Sequence, residues 1–134
     1  MFKFSKRSIT SLLTAHPLLK EVCEIALAEG IMDFTVICGY RSKADQDAAF
    51  KEGASKLRWP NSKHNRFPSE AVDIVPYPID FKDIKRFQEL AVVIKNAWEK
   101  IPDDRKDGWM LYNGADWKKF IDRPHWEIKK DAKD

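Results

Sequence analysis

Three residues carry the chemistry this chain is most readily built for. His64 stands in Ser62-Lys63-His64-Asn65, Asp73 in Ala71-Val72-Asp73-Ile74-Val75, and His125 in Asp122-Arg123-Pro124-His125-Trp126-Glu127. Two imidazoles and one carboxylate make up the ligand set of a catalytic zinc site, in which a fourth position stays open for water. Asp122, three residues before His125, is a carboxylate able to carry the proton that such a water gives up. Each residue alone also has a plainer reading. Asp73 would be salt-bridged to a core arginine or cap a loop, His64 would decorate a polar surface loop, and His125 would merely open a strand. Asp73 argues hardest against the plain reading, because a lone carboxylate inside an apolar run is costly unless paired or metal-bound. Read together, the three point to a small zinc hydrolase.

The elements that must position them follow from periodicity and punctuation. Ser8 to Thr14 is a short first helix. Pro17 starts a second, with Leu18, Leu19, Val22, Cys23, Ile25 and Ala26 at helical spacing and Gly30 as a stop. His16 is a helix-start residue. Asp33-Phe-Thr-Val-Ile-Cys reads as a buried strand ending at Gly39, and Lys43 to Lys51 as a helix closed by Gly53. The prolines, asparagines and serines of residues 54–69 mark a loop. Ala71 to Val75 is a strand stopped by Pro76 and Pro78, with Val72 and Ile74 on one face and Ala71, Asp73 and Val75 on the other. Asp83 to Ile101 is the longest helix, its core face marked by Ile84, Phe87, Leu90, Ala91, Ile94 and Trp98. Trp109-Met-Leu-Tyr and His125-Trp-Glu-Ile are further strands, Asn113-Gly-Ala-Asp-Trp is a turn, and the tail from Lys129 to Asp134 is frayed. Mixed helices and short strands favour an α+β domain over a doubly wound sheet.

Composition narrows the class. The 134 residues, 43% of them hydrophobic and including five Trp, suffice for one compact domain with one core, and the whole chain is read as that domain without a separate binding module. Charged residues reach 34% but balance to only +3, with lysines and arginines mostly beside acids. That excludes an obvious nucleic-acid protein and describes a solvated mixed-charge surface. Cys23 and Cys38 lie in apolar runs without CxxC spacing, and are read as buried free thiols rather than metal ligands or a disulfide framework. No segment has the length of a signal-peptide core or of a membrane span, so synthesis in the cytoplasm without stable membrane association is expected.

Ser62-x-His64 followed by Ala71-Val72-Asp73, with Asp122-x-x-His125-x-Glu127 later, resembles the bacterial-wall zinc peptidases related to VanY. These are D-alanyl-D-alanine carboxypeptidases and L-alanyl-D-glutamate endopeptidases. Their first motif runs SxHxxGxAxD; here two extra residues separate histidine and aspartate, as in phage and prophage members with an SxHN…PSxAVD pattern. Gly39-Tyr40-Arg41-Ser42 resembles the family's G-x-R-[ST] segment, Asn113-Gly114-Ala115-Asp116-Trp117 its cleft-shaping G-A-D-W segment, and Trp126 takes the place of an apolar residue. The likeness spans Phe34 to Glu127.

The resemblance implies a small antiparallel sheet flanked by helices, the zinc peptidase fold shared with Hedgehog and D,D-peptidases. It implies one Zn2+ on His64, Asp73 and His125, Asp122 as proton carrier and Arg41 holding the oxyanion. A guanidinium suits that last task, being always charged and rich in donors. Ser62 and Glu127 would orient the ligands, Gln46 would support the site, Trp117 would line it, and Asp116 is a weaker rival for the base. The implied substrate is the stem peptide of peptidoglycan. The small phage-type chain fits an L-alanyl-D-glutamate endopeptidase, monomeric, held in the host cytoplasm until a holin releases it to the wall. A D-alanyl-D-alanine carboxypeptidase is the alternative. A non-catalytic wall-binding or phage structural module is a further one, expected to lack a ligand or the base, all of which this chain keeps. A DNA-associated basic protein is disfavoured by weak charge and the lack of a basic helix.

Overall fold

The computed structural model describes residues 1–130. In chain order it contains α1 (Lys6–Leu13), α2 (Pro17–Ala28), β1 (Phe34–Cys38), α3 (Lys43–Lys51), β2 (Ala71–Pro76), α4 (Ile84–Glu99), α5 (Asp103–Lys106), β3 (Trp109–Asn113) and β4 (His125–Lys130). Single 3-10 turns at Lys63–Asn65 and Gly114–Asp116 interrupt the loops. The four strands form one antiparallel sheet in the order β1-β2-β4-β3, so the architecture is the expected small α+β arrangement.

Strand alternation divides the sheet into two functional faces. Val36 pairs with Ile74, and Val72 with Trp126; these, with Ile128, turn toward α2 and α4 and enter the main apolar cluster. Leu19, Val22 and Cys23 from α2 and Leu90, Ile94 and Trp98 from α4 meet them there. Full burial of each such aliphatic side chain contributes about 1.5–3 kcal/mol. The opposite face carries Asp73 paired with His125, and Ala71 paired with Glu127. The alternation read from the sequence of β2 is thus the feature that sends its carboxylate away from the helices.

Local caps explain the element ends. Ser5 Oγ accepts from Ser8 N at 3.1 Å to start α1, and His16 Nδ1 accepts from Leu18 N at 3.0 Å to start α2. The buried Ser8 hydroxyl in turn accepts the Val36 N–H at 2.9 Å, which satisfies a donor on the edge strand β1. Several expectations need correction. Ile84 is 45% exposed, and the buried face of α4 runs through Phe87, Leu90, Val93, Ile94, Ala97 and Trp98, because the helix meets the sheet one residue further round. Lys129 and Lys130 belong to β4, where they pair with Met110 and Trp109; ladder pairing overrides their polar character. The rest of the tail expected to fray, residues 131–134, lies outside the described residues. No helix among the described residues is long and apolar enough to cross a membrane.

Candidate active site

Asp73 occupies the middle of β2, and its register builds the site. Its cross-strand partners are Cys38 on β1 and His125 on β4, so three metal-competent side chains form a row across three strands. The register of β1 shifts between Val36 and Cys38, leaving Ile37 as an extra residue that opens onto the cavity. His64 arrives from the other side, on the 3-10 turn after the loop. Ser62 Oγ accepts the His64 N–H at 3.2 Å, and Asn65 Oδ1 accepts the Ser62 N–H at 3.0 Å. Arg41 N donates to His64 O at 2.7 Å. The polar loop therefore does not leave His64 at the surface: it is only 1% exposed.

The loop between His64 and Asp73 turns away from this cluster. Phe67 projects outward against Tyr40, edge to face at 5.5 Å. The chain is recaptured at Ser69, whose N donates to Thr14 O and whose O accepts from His16 N, both at 2.8 Å. β2 therefore enters the sheet in the register the site requires.

The imidazoles are oriented from behind. His64 Nδ1 lies 2.8 Å from the Gly39 carbonyl, which can only accept, so Nδ1 carries a hydrogen and Nε2 is the nitrogen left facing Asp73. A Cβ on residue 39 would fall 2.3 Å from Ser11 O and 2.5 Å from Thr14 Oγ1, so glycine alone lets this carbonyl approach. His64 Nε2 is buried, 3.3 Å from Asp73 Oδ1 but not aligned with it for a hydrogen bond, and it has no hydrogen-bonding partner among the described residues. His125 presents Nδ1 at 3.6 Å from the same Asp73 oxygen, while its Nε2 donates to Glu127 Oε1 at 2.8 Å. The two rings lie 5.1 Å apart, and Trp117 packs against His125 at 5.0 Å.

Charge follows this geometry. Burial opposes ionisation of His64, but the Asp73 carboxylate outweighs it and pushes the imidazole up to about 10. Burial opposes ionisation of Asp73 as well, yet the two histidines hold it far below the ordinary carboxylate range. His125 is raised against its burial by Asp73 and Glu127, and Glu127 is lowered against its own burial by the His125 hydrogen bond. Asp122 differs: burial, reinforced by the Asp73 charge, raises its carboxyl. Two carboxylates in one cavity are thus driven in opposite directions, one to stay ionised and one to hold a proton more readily.

Asp122 is placed by its contact with Gly114. Its N donates to Gly114 O at 3.0 Å, and a Cβ on residue 114 would lie 2.2 Å from Asp122 O. Asn113 Nδ2 bridges the carbonyls of Arg123 at 3.2 Å and His125 at 2.8 Å, fixing the loop between base candidate and ligand candidate. Arg41 faces the cavity with Nη1 donating to Gln46 Oε1 at 2.9 Å and Nη2 3.4 Å from Asp73 Oδ2. Gln46 is wholly buried and spans the site's outer wall. Its Oε1 also accepts from Asn65 Nδ2 at 3.2 Å, and its Nε2 donates to Leu57 O at 2.7 Å.

These groups open into a cavity of about 590 Å³, lined among others by Arg41, His64, Asp73, Trp117, Asp122 and His125. Ser62, Lys63 and Glu127 also border it. Asp116 is not brought to this cluster; its side chain is 64% exposed and pairs with Lys95 at 3.1 Å. Cys38 corrects the reading of both cysteines as buried and remote from metal chemistry. It is only partly buried, and its Sγ lies 3.8 Å from His64 Nδ1. Cys38, His64 and Asp73 each offer a ligand atom within 4.8 Å of one another. Spacing along the chain could not reveal this, because strand pairing and not a CxxC turn makes the approach. Cys23, by contrast, is buried, and burial pushes its thiol up to about 12.

Comparison with known proteins yields concordant matches. A family model described as phage L-alanyl-D-glutamate peptidase matches residues 1–134. The L-alanyl-D-glutamate peptidase of Escherichia phage T5 is 35% identical over 136 residues, covering 99% of this chain and 93% of that protein. The crystal structure of the L-Ala D-Glu endopeptidase ChiX of Serratia marcescens is similar in fold, with a TM-score of 0.74 and 28% identity, covering 96% of this chain and 90% of that chain.

Proposed function

Since the chain belongs to the phage L-alanyl-D-glutamate peptidase family, we propose that it hydrolyses the amide bond between L-alanine and D-glutamate in the stem peptide of peptidoglycan. His64, Asp73 and His125 would hold one zinc ion. The observation that carries this reading is the buried His64 Nε2, without a hydrogen-bonding partner among the described residues and 3.3 Å from an Asp73 oxygen that also lies 3.6 Å from His125 Nδ1. A buried polar atom left unmatched is costly, and a cation at this point would satisfy it. Cys38 offers a rival third ligand, but its sulfur lies on the Nδ1 side of His64, where the ring donates to Gly39. The Nε2 side of the ring, which shares Asp73 Oδ1 with His125, therefore favours His125.

A zinc ion held there would supply a water of pKa near 7 and polarise the scissile carbonyl. The chain's own groups divide the remaining work. Asp122, raised by burial and by Asp73, takes the proton of the attacking water and returns it to the leaving nitrogen. Arg41, braced by Gln46, stabilises charge that develops on the carbonyl oxygen. Glu127 fixes the His125 tautomer through the Nε2 hydrogen bond, and Ser62 fixes the backbone of His64. Release to the wall through a partner holin completes the lysis role inferred from the family.

The test is turbidity loss of outer-membrane-permeabilised Gram-negative cells with wild type and His125→Ala, followed by mass spectrometry of released fragments. Lysis by wild type alone, with new amino termini on D-glutamate, is expected. Release of single D-alanine would establish a carboxypeptidase instead, and absence of any cleavage by metal-loaded wild type would overturn the enzymatic reading.

A further inference from the structure

Besides the two histidines, three basic and three acidic side chains line the cavity: Arg41, Lys56 and Lys63, and Asp73, Asp122 and Glu127. Most are committed. Arg41 serves Gln46 and Asp73, Asp73 is shared with both histidines, and Glu127 accepts from His125. Lys56 is exposed, with Nζ 5.2 Å from the centre of the Phe120 ring. Lys63 stands apart. It is partly buried, immediately precedes His64, and forms no ion pair among the described residues. Its backbone is fixed by the capped turn and by Glu70 N, which donates to its carbonyl at 3.1 Å. Its charge reaches Glu127, helping to hold that carboxyl ionised.

The proposed substrate offers an anion to such a cation. The amine half of an L-alanyl-D-glutamyl bond bears a carboxyl group on Cα, two bonds from the scissile nitrogen. Unless amidated, that group is an anion that would enter a cavity lined by the carboxyl groups of Asp73, Asp122 and Glu127. An anion desolvated beside like charges is disfavoured unless a counter-charge meets it. Arg41 is tethered to Gln46 and Asp73, which leaves Lys63, next to His64 in the chain, as the partly buried cation of the cavity without an ion pair among the described residues. Resting on the endopeptidase reading above, we propose that Lys63 is a specificity determinant for the leaving half of the substrate. Its ammonium pairs with the Cα carboxylate of the glutamate, so the chain selects the free acid over the α-amidated residue.

Two synthetic peptides test this, identical except that the glutamate Cα carboxylate is free in one and amidated in the other. Cleavage is followed with wild type, Lys63→Gln, Lys63→Arg and Lys56→Gln, with zinc content and Tm measured for each. Wild type should prefer the acid by about 10- to 100-fold in kcat/KM, the discrimination expected of a charge-assisted hydrogen bond. Lys63→Gln should lose that preference, chiefly through KM for the acid, while its rate on the amide stays within about threefold of wild type. Lys63→Arg should keep most of the preference. The wild-type preference should also shrink with added salt, which tests the pairing without any substitution. Equal losses on both peptides would overturn the proposal and assign Lys63 to supporting Glu127. An absent wild-type preference, or one removed by Lys56→Gln and not by Lys63→Gln, would overturn it too. Wild type cutting neither peptide would bring down the endopeptidase reading as well, and so is distinguishable from failure of this assignment alone.

Discussion

Replacing Gly114 by alanine probes the placement of Asp122 without touching a reacting group. A Cβ at this position would stand 2.2 Å from the Asp122 carbonyl oxygen and 3.0 Å from Asp122 Cβ. An ordinary contact needs roughly 3.5 Å, so the Asp122 backbone must retreat by about 1 Å or β3 must yield. The 3.0 Å hydrogen bond from Asp122 N to Gly114 O resists that movement from the same side. Misplacement of a reacting group by about 1 Å costs on the order of 100-fold in rate. Overpacking of this kind costs about 1–3 kcal/mol of stability, which leaves a domain of this size folded at room temperature. Gly114→Ala should therefore lower kcat on a defined L-alanyl-D-glutamyl peptide by about two orders of magnitude, with zinc content followed alongside because His125 N donates to the same Asp122 carbonyl at 3.2 Å. The assay is steady-state release of D-glutamate amino termini, with metal analysis and thermal unfolding on the same samples. A folded, zinc-loaded variant with kcat within threefold of wild type would refute the reasoning. It would mean that Asp122 need not sit where Gly114 holds it.

Other expectations follow from the same geometry. Cys38→Ala should leave zinc stoichiometry and activity near wild type if His125 completes the ligand set; loss of the metal in this variant, measured by elemental analysis, would transfer that role to the thiol. Gln46→Leu strands Arg41, Asn65 and the Leu57 carbonyl, so it should lower stability by about 1–3 kcal/mol in urea titration and reduce kcat more than it raises KM, since Arg41 loses its brace. Asp122→Asn should retain zinc but lose about 10²- to 10⁴-fold in kcat. Because burial and Asp73 raise the Asp122 carboxyl, the ionised base is present only above an elevated pKa. Activity of the wild type should then fall as pH drops while still above the ordinary aspartate value of about 3.9; a pH profile flat down to that value would remove Asp122 as the proton carrier.

Much of this site was legible before any fold was known. The residue types at 64, 73, 122 and 125, and the alternation that turns Asp73 away from Val72 and Ile74, are properties of the chain itself. Strand period and helical spacing report them because side-chain direction is set locally. What stayed hidden depends on which strands become neighbours. The Cys38–Asp73–His125 row exists only because β1 and β4 flank β2 in one register, with an extra residue at Ile37. Gln46 gives no periodic signal, since its burial arises from contacts with Arg41, Asn65 and Leu57, brought in from three separate segments. Asp116 stood along the chain as a weaker rival to Asp122, and the 3-10 turn after β3 directs it to Lys95 while the Gly114 contact draws Asp122 inward. The sequence by itself determined the donor chemistry and the face each strand residue would show. Tertiary structure alone decided which donors converge, how burial and mutual charge set their protonation, and which acid has its carboxyl raised by burial, because distances and desolvation are properties of packed neighbours and not of residue order.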